Sequence, residues 1–253
     1  MIIHQGTTEA IPQVERLRIV SLVPSLTELL YDAGLGEQVV GVTKFCVHPA
    51  EARKTAKVVG GTKTIHLDRI AALAPSLIVT NYEENTKKIV EQCATLATTY
   101  VSRIATIKDM LGCFTEIAQL TGCIQLDDYR QQGTEMLSKL EARNAGRTRR
   151  AVYLIWQQPH MAAGSDTFIT AMMRLHGYEN AITATRYPDL TLDEIKALDV
   201  DEILLSSEPF PFQQHHADAL SHELGIPCKV VDGEAYSWYG TRALRVMERL
   251  LTA

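Results

Sequence analysis

The residues best able to recognise a ligand cluster just after apolar runs that read as strands. They are Phe45 with His48, then Tyr82-Glu83-Glu84-Asn85, Trp156-Gln157-Gln158, Glu208-Pro-Phe210-Pro-Phe212 and Tyr236-Ser-Trp238-Tyr239-Gly-Thr-Arg242. In open α/β sheets ligands bind beyond the carboxyl ends of strands. Aromatic faces joined by a few fixed polar groups suit a bulky, partly apolar ligand. Only 6% of the chain is aromatic, yet these loops hold both tryptophans. Each ring taken singly could equally pack against a sheet edge; together they indicate a binding cleft. The expected ligand contacts are Phe45, His48 and Tyr82 from the first half, and Trp156, Gln157, Glu208, Trp238, Tyr239 and Arg242 from the second. Arg242 has two readings: a planar fork for amide or carboxylate groups of the ligand, or an ion pair with Glu208 or Glu234.

Catalytic patterns are missing. The sequence has no Gly-x-Ser-x-Gly elbow, no phosphate-cradling Gly-x-x-x-x-Gly-Lys and no His-Glu-x-x-His, and Gly34-Leu-Gly36 lacks the third glycine of a dinucleotide fingerprint. His215, His216 and His222 fall on one polar helix but place no two imidazoles at i and i+4, so a solvated face is the reading. The cysteines, Cys46, Cys93, Cys113, Cys123 and Cys228, are odd in number and form no Cys-x-x-Cys pair. That argues against a disulfide framework or a structural zinc, and Cys93, Cys113 and Cys123 read as single buried thiols. The expectation is a binder and not an enzyme, without a resident cofactor and without a metal site of its own.

Strands must alternate with helices to position these loops. Arg18–Val23 reads as a buried strand, with Ser25 capping a helix over 26–33; strands over 39–43, 77–80 and 99–102 follow, with helices over 67–74, 85–97 and 107–120. After a proline-free helical stretch the alternation resumes, with strands at 151–156, 203–206 and 229–231 and helices at 167–176, 192–198, 214–223 and 241–251. Such βα units imply parallel sheet. Leu67-Asp68-Arg-Ile70-Ala-Ala72-Leu73 matches Leu192-Asp193-Glu-Ile195-Lys-Ala197-Leu198 without gaps, and an apolar strand follows each copy. An offset near half the chain length suggests two lobes of common design; recurrence of apolar positions in amphipathic helices is the alternative. The fold class expected is α/β, two Rossmann-like lobes with parallel sheets joined by a single long backbone helix. The boundaries are 1–124 for the first lobe, 125–147 for the helix and 148–253 for the second.

Composition agrees. Of 253 residues 46% are hydrophobic and 22% charged, as in ordinary globular proteins, and the net charge of −5 with no basic run points away from nucleic acid. No apolar stretch reaches the roughly 18–20 residues that span a bilayer. The opening Met1-Ile-Ile-His-Gln-Gly-Thr-Thr-Glu has neither a charged n-region nor an apolar h-region. Location therefore stays open between cytoplasm and an exported form whose signal has been removed.

Arg18-Ile-Val-Ser-Leu-Val-Pro-Ser-Leu-Thr-Glu28 resembles the opening strand and helix of the periplasmic cobalamin- and ferric-siderophore-binding proteins of ABC importers. Val40-Gly-Val-Thr, Leu67-Asp-Arg-Ile-Ala-Ala-Leu-Ala-Pro-Ser-Leu-Ile-Val79 and Ser237-Trp-Tyr-Gly-Thr-Arg242 continue the likeness, which is nearest to the cobalamin-binding branch. The resemblance implies an inter-lobe cleft that captures a metal chelate, a corrinoid such as cobalamin first and haem or a ferric siderophore next. It further implies a monomer that delivers its ligand to an ABC permease dimer. Asp68 and Asp193 stand where each family lobe offers the permease a glutamate. A cytosolic chelate-binding protein with no transporter is the alternative, and an enzyme acting on such a ligand comes third.

Overall fold

The computed structural model describes residues 1–146 and 149–252. The chain divides into two compact units: Met1–Ile104 with Lys108–Thr134 and Tyr239–Leu244, and Ala105–Ile107 with Glu135–Trp238 and Arg245–Ala253.

The first unit is built on six strands: β1 (Ile2–His4), β2 (Ile19–Ser21), β3 (Val39–Val42), β4 (Lys57–Val58), β5 (Leu77–Asn81) and β6 (Thr98–Ser102). Their order is β1-β6-β5-β2-β3-β4, and every pairing is parallel. β2 and β5 are buried along their whole length, which is why they read as unbroken apolar runs and not as alternating ones. Helices α1 (Pro24–Asp32), α2 (Ala52–Thr55), α3 (Leu67–Ala72), α4 (Lys87–Ala94) and α5 (Ile107–Thr121) alternate with these strands. Val20, Leu22, Ile70, Ile78 and Ile89 close one core layer. Two readings are corrected here. Pro24 occupies the first turn of α1, where its missing N–H costs nothing, and Ser25 lies inside the helix without capping it. Ile2–His4, read only as a non-signal terminus, adds a parallel edge strand beside Thr99–Val101.

The helix α6 (Gln125–Asn144) is continuous over 20 residues, about 30 Å of axis. The last residue of the expected 125–147 span lies outside the described residues. Gly133 sits at a close approach: a Cβ there would come within 2.5 Å of Leu111 and 2.9 Å of Leu244. A glycine inside a helix costs about 0.5–1 kcal/mol relative to alanine, and here the missing methyl admits both leucines.

The second unit carries β7 (Arg149–Trp156), β8 (His160–Ala162), β9 (Tyr178–Asn180), β10 (Asp189–Leu190), β11 (Glu202–Ser206) and β12 (Cys228–Val231). Its helices are α7 (Phe168–Leu175), α8 (Leu192–Ala197), α9 (Gln214–Leu224), α10 (Gly233–Ser237) and the outer part of α11 (Thr241–Thr252). β11 lies parallel between β7 and β12, and β9 runs parallel to the start of β7. Beside these parallel pairings the second sheet has an antiparallel margin: β8 turns back on β7 and receives β10 antiparallel in turn. The reason is local. Only three residues, 157–159, separate β7 from β8, too few for a crossover helix and enough for a hairpin.

The repeat is visible in topology. β5 is inserted between β2 and β6 just as β11 is inserted between β7 and β12. The helix before each inserted strand buries the matching isoleucine, Ile70 or Ile195, without residual exposure. At the amino edge of the second sheet, buried Glu202 accepts from the Tyr178 hydroxyl at 2.6 Å and pairs with Lys229 at 3.1 Å, tying the starts of three strands together. All five cysteines are free; Cys46, Cys93 and Cys113 are buried, whereas Cys123 is half-buried. Burial alone pushes the Cys93 thiol up to about 12, as suits a packing residue.

His176, at the end of α7, stacks on Tyr236 with centroids 4.3 Å apart. Burial, with Lys229 and Arg249 nearby, lowers its pKa to about 4, and its Nε2 is enclosed without a hydrogen-bond partner. The native state therefore favours the neutral ring. Its contribution is complete above the unfolded value near 6.5 and is lost as pH falls towards 4, a change of about 2–3 kcal/mol. Urea unfolding followed by tryptophan fluorescence should show that loss, and His176→Phe should flatten it; both tryptophans lie in the second unit.

Candidate functional site

In the first unit the candidate residues Phe45, His48 and Tyr82 follow the carboxyl ends of β3 and β5. After β3 the chain turns at Lys44, and Phe45 is left 49% exposed with its ring over Gly61 and the Lys44 ammonium 5.0 Å from its centroid. His48, half-buried, precedes Pro49 in the same turn. After β5, Tyr82 is 60% exposed and the Arg103 guanidinium lies 5.3 Å from its ring centre. Two buried asparagines hold this turn. Asn81 Oδ1 accepts the backbone N–H groups of Glu83 and Glu84 at 2.8 and 3.2 Å. Asn85 Oδ1 accepts the N–H of Asn81 at 2.9 Å, and its Nδ2 donates to the Thr62 carbonyl at 2.9 Å. Tyr82 is thus presented from a backbone with little freedom. Asn85 was noted in sequence only as part of a polar loop; the signal for Asn81 was its place as the last residue of an apolar strand.

In the second unit Trp156 ends β7 with 40% of its surface exposed. Phe210 meets it edge-on at 5.6 Å and Phe212 follows at 4.7 Å, so the exposed indole has a buried aromatic foundation. His216 closes the cluster against Phe210 and Phe212 at 5.4 and 5.7 Å. Its Nδ1 accepts the Gln213 backbone N–H at 3.0 Å, which completes the first turn of α9. Gln157, next to Trp156, is half-buried. Glu208 lies half-buried on the loop that carries Phe210. Its Oε1 accepts from Ser237 Oγ and from Trp238 Nε1, each at 2.9 Å. Burial raises its pKa, the two donors pull it back, and Glu234 and Asp232 raise it further. The sequence placed Glu208 and Trp238 in one site; the structure makes them direct partners.

Arg242 has a partner that sequence reasoning did not name. Its Nε and Nη2 each donate to Glu28, on α1 of the same unit, at 2.9 Å. The fork thus grips a carboxylate that is itself buried. Tyr239 is also buried. Asp68 and Asp193 are both exposed in the first turns of α3 and α8. Thr191 and Glu194 form a capping box beside the second of them, with the Glu194 carboxylate accepting the Thr191 N–H at 2.7 Å. Among the described residues no three His, Cys, Asp or Glu groups converge as a metal site, and no helix is long and apolar enough to cross a membrane.

Residues 19–221 match the family model described as periplasmic binding protein. The chain belongs to that family. The vitamin B12-binding protein of Pectobacterium carotovorum is 25% identical over 249 residues, 95% of this chain and 88% of that one. That of Vibrio parahaemolyticus is 27% identical over 186 residues, 70% of this chain and 66% of the relative. Among solved structures, the periplasmic vitamin B12-binding protein BtuF of Vibrio cholerae superposes with a TM-score of 0.77 at 20% identity, covering 93% of this chain and 95% of that one. The periplasmic haem-binding protein HutB of the same organism gives 0.78 at 21%, covering 93% and 98%. These likenesses agree on the fold, two α/β lobes with a long helix.

Replacing Arg242 leaves a buried carboxylate on α1 without its fork. Arg242→Ala should destabilise the first unit by about 3 kcal/mol, and Arg242→Lys, which keeps the charge but not the paired geometry, by roughly 1 kcal/mol. Differential scanning calorimetry measures both.

Proposed function

We propose that this chain is the substrate-binding protein of an ABC importer for a metal chelate, a corrinoid before haem or a ferric siderophore. The observation that carries the reading is the exposure of three braced aromatic rings, Phe45, Tyr82 and Trp156, at or just beyond the carboxyl ends of strands. Apolar rings held in water by a rigid support are a binding surface for a flat or bulky apolar partner. The relatives named for vitamin B12 and the fold shared with haem-binding proteins support the same chemical class. Gln157, next to Trp156 in the chain, and Glu208, on the loop that carries Phe210 against Trp156, suit a ligand whose rim carries hydrogen-bonding groups. No chemical step is part of the proposal: capture and release suffice.

Titration of the purified chain with cyanocobalamin, dicyanocobinamide, haemin and a ferric siderophore, read by fluorescence quenching and thermal shift, should reveal saturable binding of a corrinoid. Burying the exposed part of an aromatic ring contributes about 1–2 kcal/mol, so Trp156→Ala and Tyr82→Ala should each weaken binding five- to thirty-fold, approximately. Unchanged affinity in both variants would remove the basis of the reading.

Delivery to a permease adds a second expectation. Asp68 and Asp193, exposed at matching positions of the repeat, are proposed to meet basic residues of a two-fold transporter. Asp68→Lys with Asp193→Lys should abolish permease-dependent uptake in reconstituted vesicles while ligand affinity stays within about twofold, since rim charges act on the partner encounter alone.

A further inference from the structure

Glu208 is placed with more care than a loop carboxylate needs. The Ser206 hydroxyl receives its backbone N–H at 3.3 Å and donates to its carbonyl. Tyr153, buried beneath the sheet edge, donates in turn to Ser206 at 3.1 Å. The glutamate side chain then crosses Gly233, where a Cβ would come within 2.5 Å of its Cγ. Only glycine leaves room for that path. Both donors fall on one oxygen, Oε1, and among the described residues Oε2 has no hydrogen-bond partner. The loop that fixes Glu208 also carries Phe210 against Trp156, and the residue it holds on the other side is Trp238. An acceptor with one saturated and one unsatisfied oxygen therefore sits on the loop whose Phe210 supports Trp156, the exposed ring that the proposed ligand would cover.

We propose that Glu208 is a specificity residue, whose Oε2 accepts an N–H from a primary amide on the rim of the chelate and turns away chelates that carry a carboxylate there. This rests on the chelate-binding reading above. An ionised carboxylate can only accept, so it suits an amide N–H and opposes a second carboxylate. Asp232 and Glu234 lie close enough to act on Glu208 electrostatically, so its charged neighbours are acidic. Discrimination by an unpaired or repulsive group is usually stronger than discrimination by shape. A corrinoid bearing neutral amides meets these conditions; a porphyrin bearing propionates does not.

The test compares dicyanocobinamide with dicyanocobyrinic acid, which has the same ring and metal but carboxylates in place of the amides. Equilibrium dialysis of the native chain should favour the amide form by about tenfold or more. In Glu208→Gln the new amide N–H can donate to a carboxylate, so the ratio should fall about tenfold, partly through tighter binding of the acid. Glu208→Ala, which removes the acceptor without adding a donor, should also lower the ratio but without that gain. A gain for one ligand is not what a merely misfolded loop produces, and thermal unfolding of both variants checks their integrity. Binding of cobinamide with the same ratio in native and variant chains would overturn this inference and leave the chelate reading standing. Binding of haemin but of neither corrinoid would also overturn it while keeping the wider reading. Binding of no chelate would remove both.

Discussion

A parallel strand covered on both faces must hand its chain to the next helix at the sheet edge, and every polar backbone group of that turn must then be satisfied locally. This constraint governs the molecule. β2, β5 and β11 are buried along their whole length, so their ends are where the chain meets water and where polar side chains are useful. Asn81 and Asn85 answer the demand after β5, and Ser206, Ser207 and Asp232 answer it around β11 and β12. The same bonds that satisfy the backbone immobilise the turns. A loop held this way can present an aromatic ring to solvent without paying again to order it when a ligand arrives.

The two units meet the constraint with one topology and different details. In each, a helix carrying Leu-Asp-x-Ile precedes a central strand, buries its isoleucine and leaves its aspartate in water. Beyond that the units diverge. The first braces single rings with cations, Lys44 over Phe45 and Arg103 against Tyr82. The second assembles a packed aromatic series from Trp156 through Phe210 to Phe212 and His216. The cationic contacts are worth about 0.5–1 kcal/mol each at exposed sites, enough to orient a ring but easily exchanged for a ligand. The packed series is stiffer, and it shares its loop with Glu208.

Charge is distributed by the same logic. Arg242 and Glu28 neutralise each other where both are largely dry, while Glu208 accepts from two neutral donors, Ser237 and Trp238, on a loop that still touches solvent.

How much of this was legible from residues alone can be argued element by element. Apolar runs announced β2, β3, β5, β7 and β11, because strands buried on both faces need no alternation to be seen. The helix over residues 125–144 followed from its unbroken helical composition, and the internal match at Asp68 and Asp193 gave the common plan of the units. The loop aromatics could be named because they directly follow those strands. By contrast β1, β8, β9 and β10 are two or three residues long and exist through pairing with a neighbour distant in sequence, so no local pattern marks them. Partnership of side chains was hidden for the same reason. Arg242 lies 214 positions from Glu28, and Glu208 about 30 from Trp238; no spacing rule reaches across such intervals. Sequence by itself determined the alternation of elements, the family and the loops that bear the chemistry, since each depends on neighbours within a turn or a strand. Only tertiary structure decided which of those loop residues face water and which are already spoken for, since burial and pairing are settled by chain segments that meet after folding.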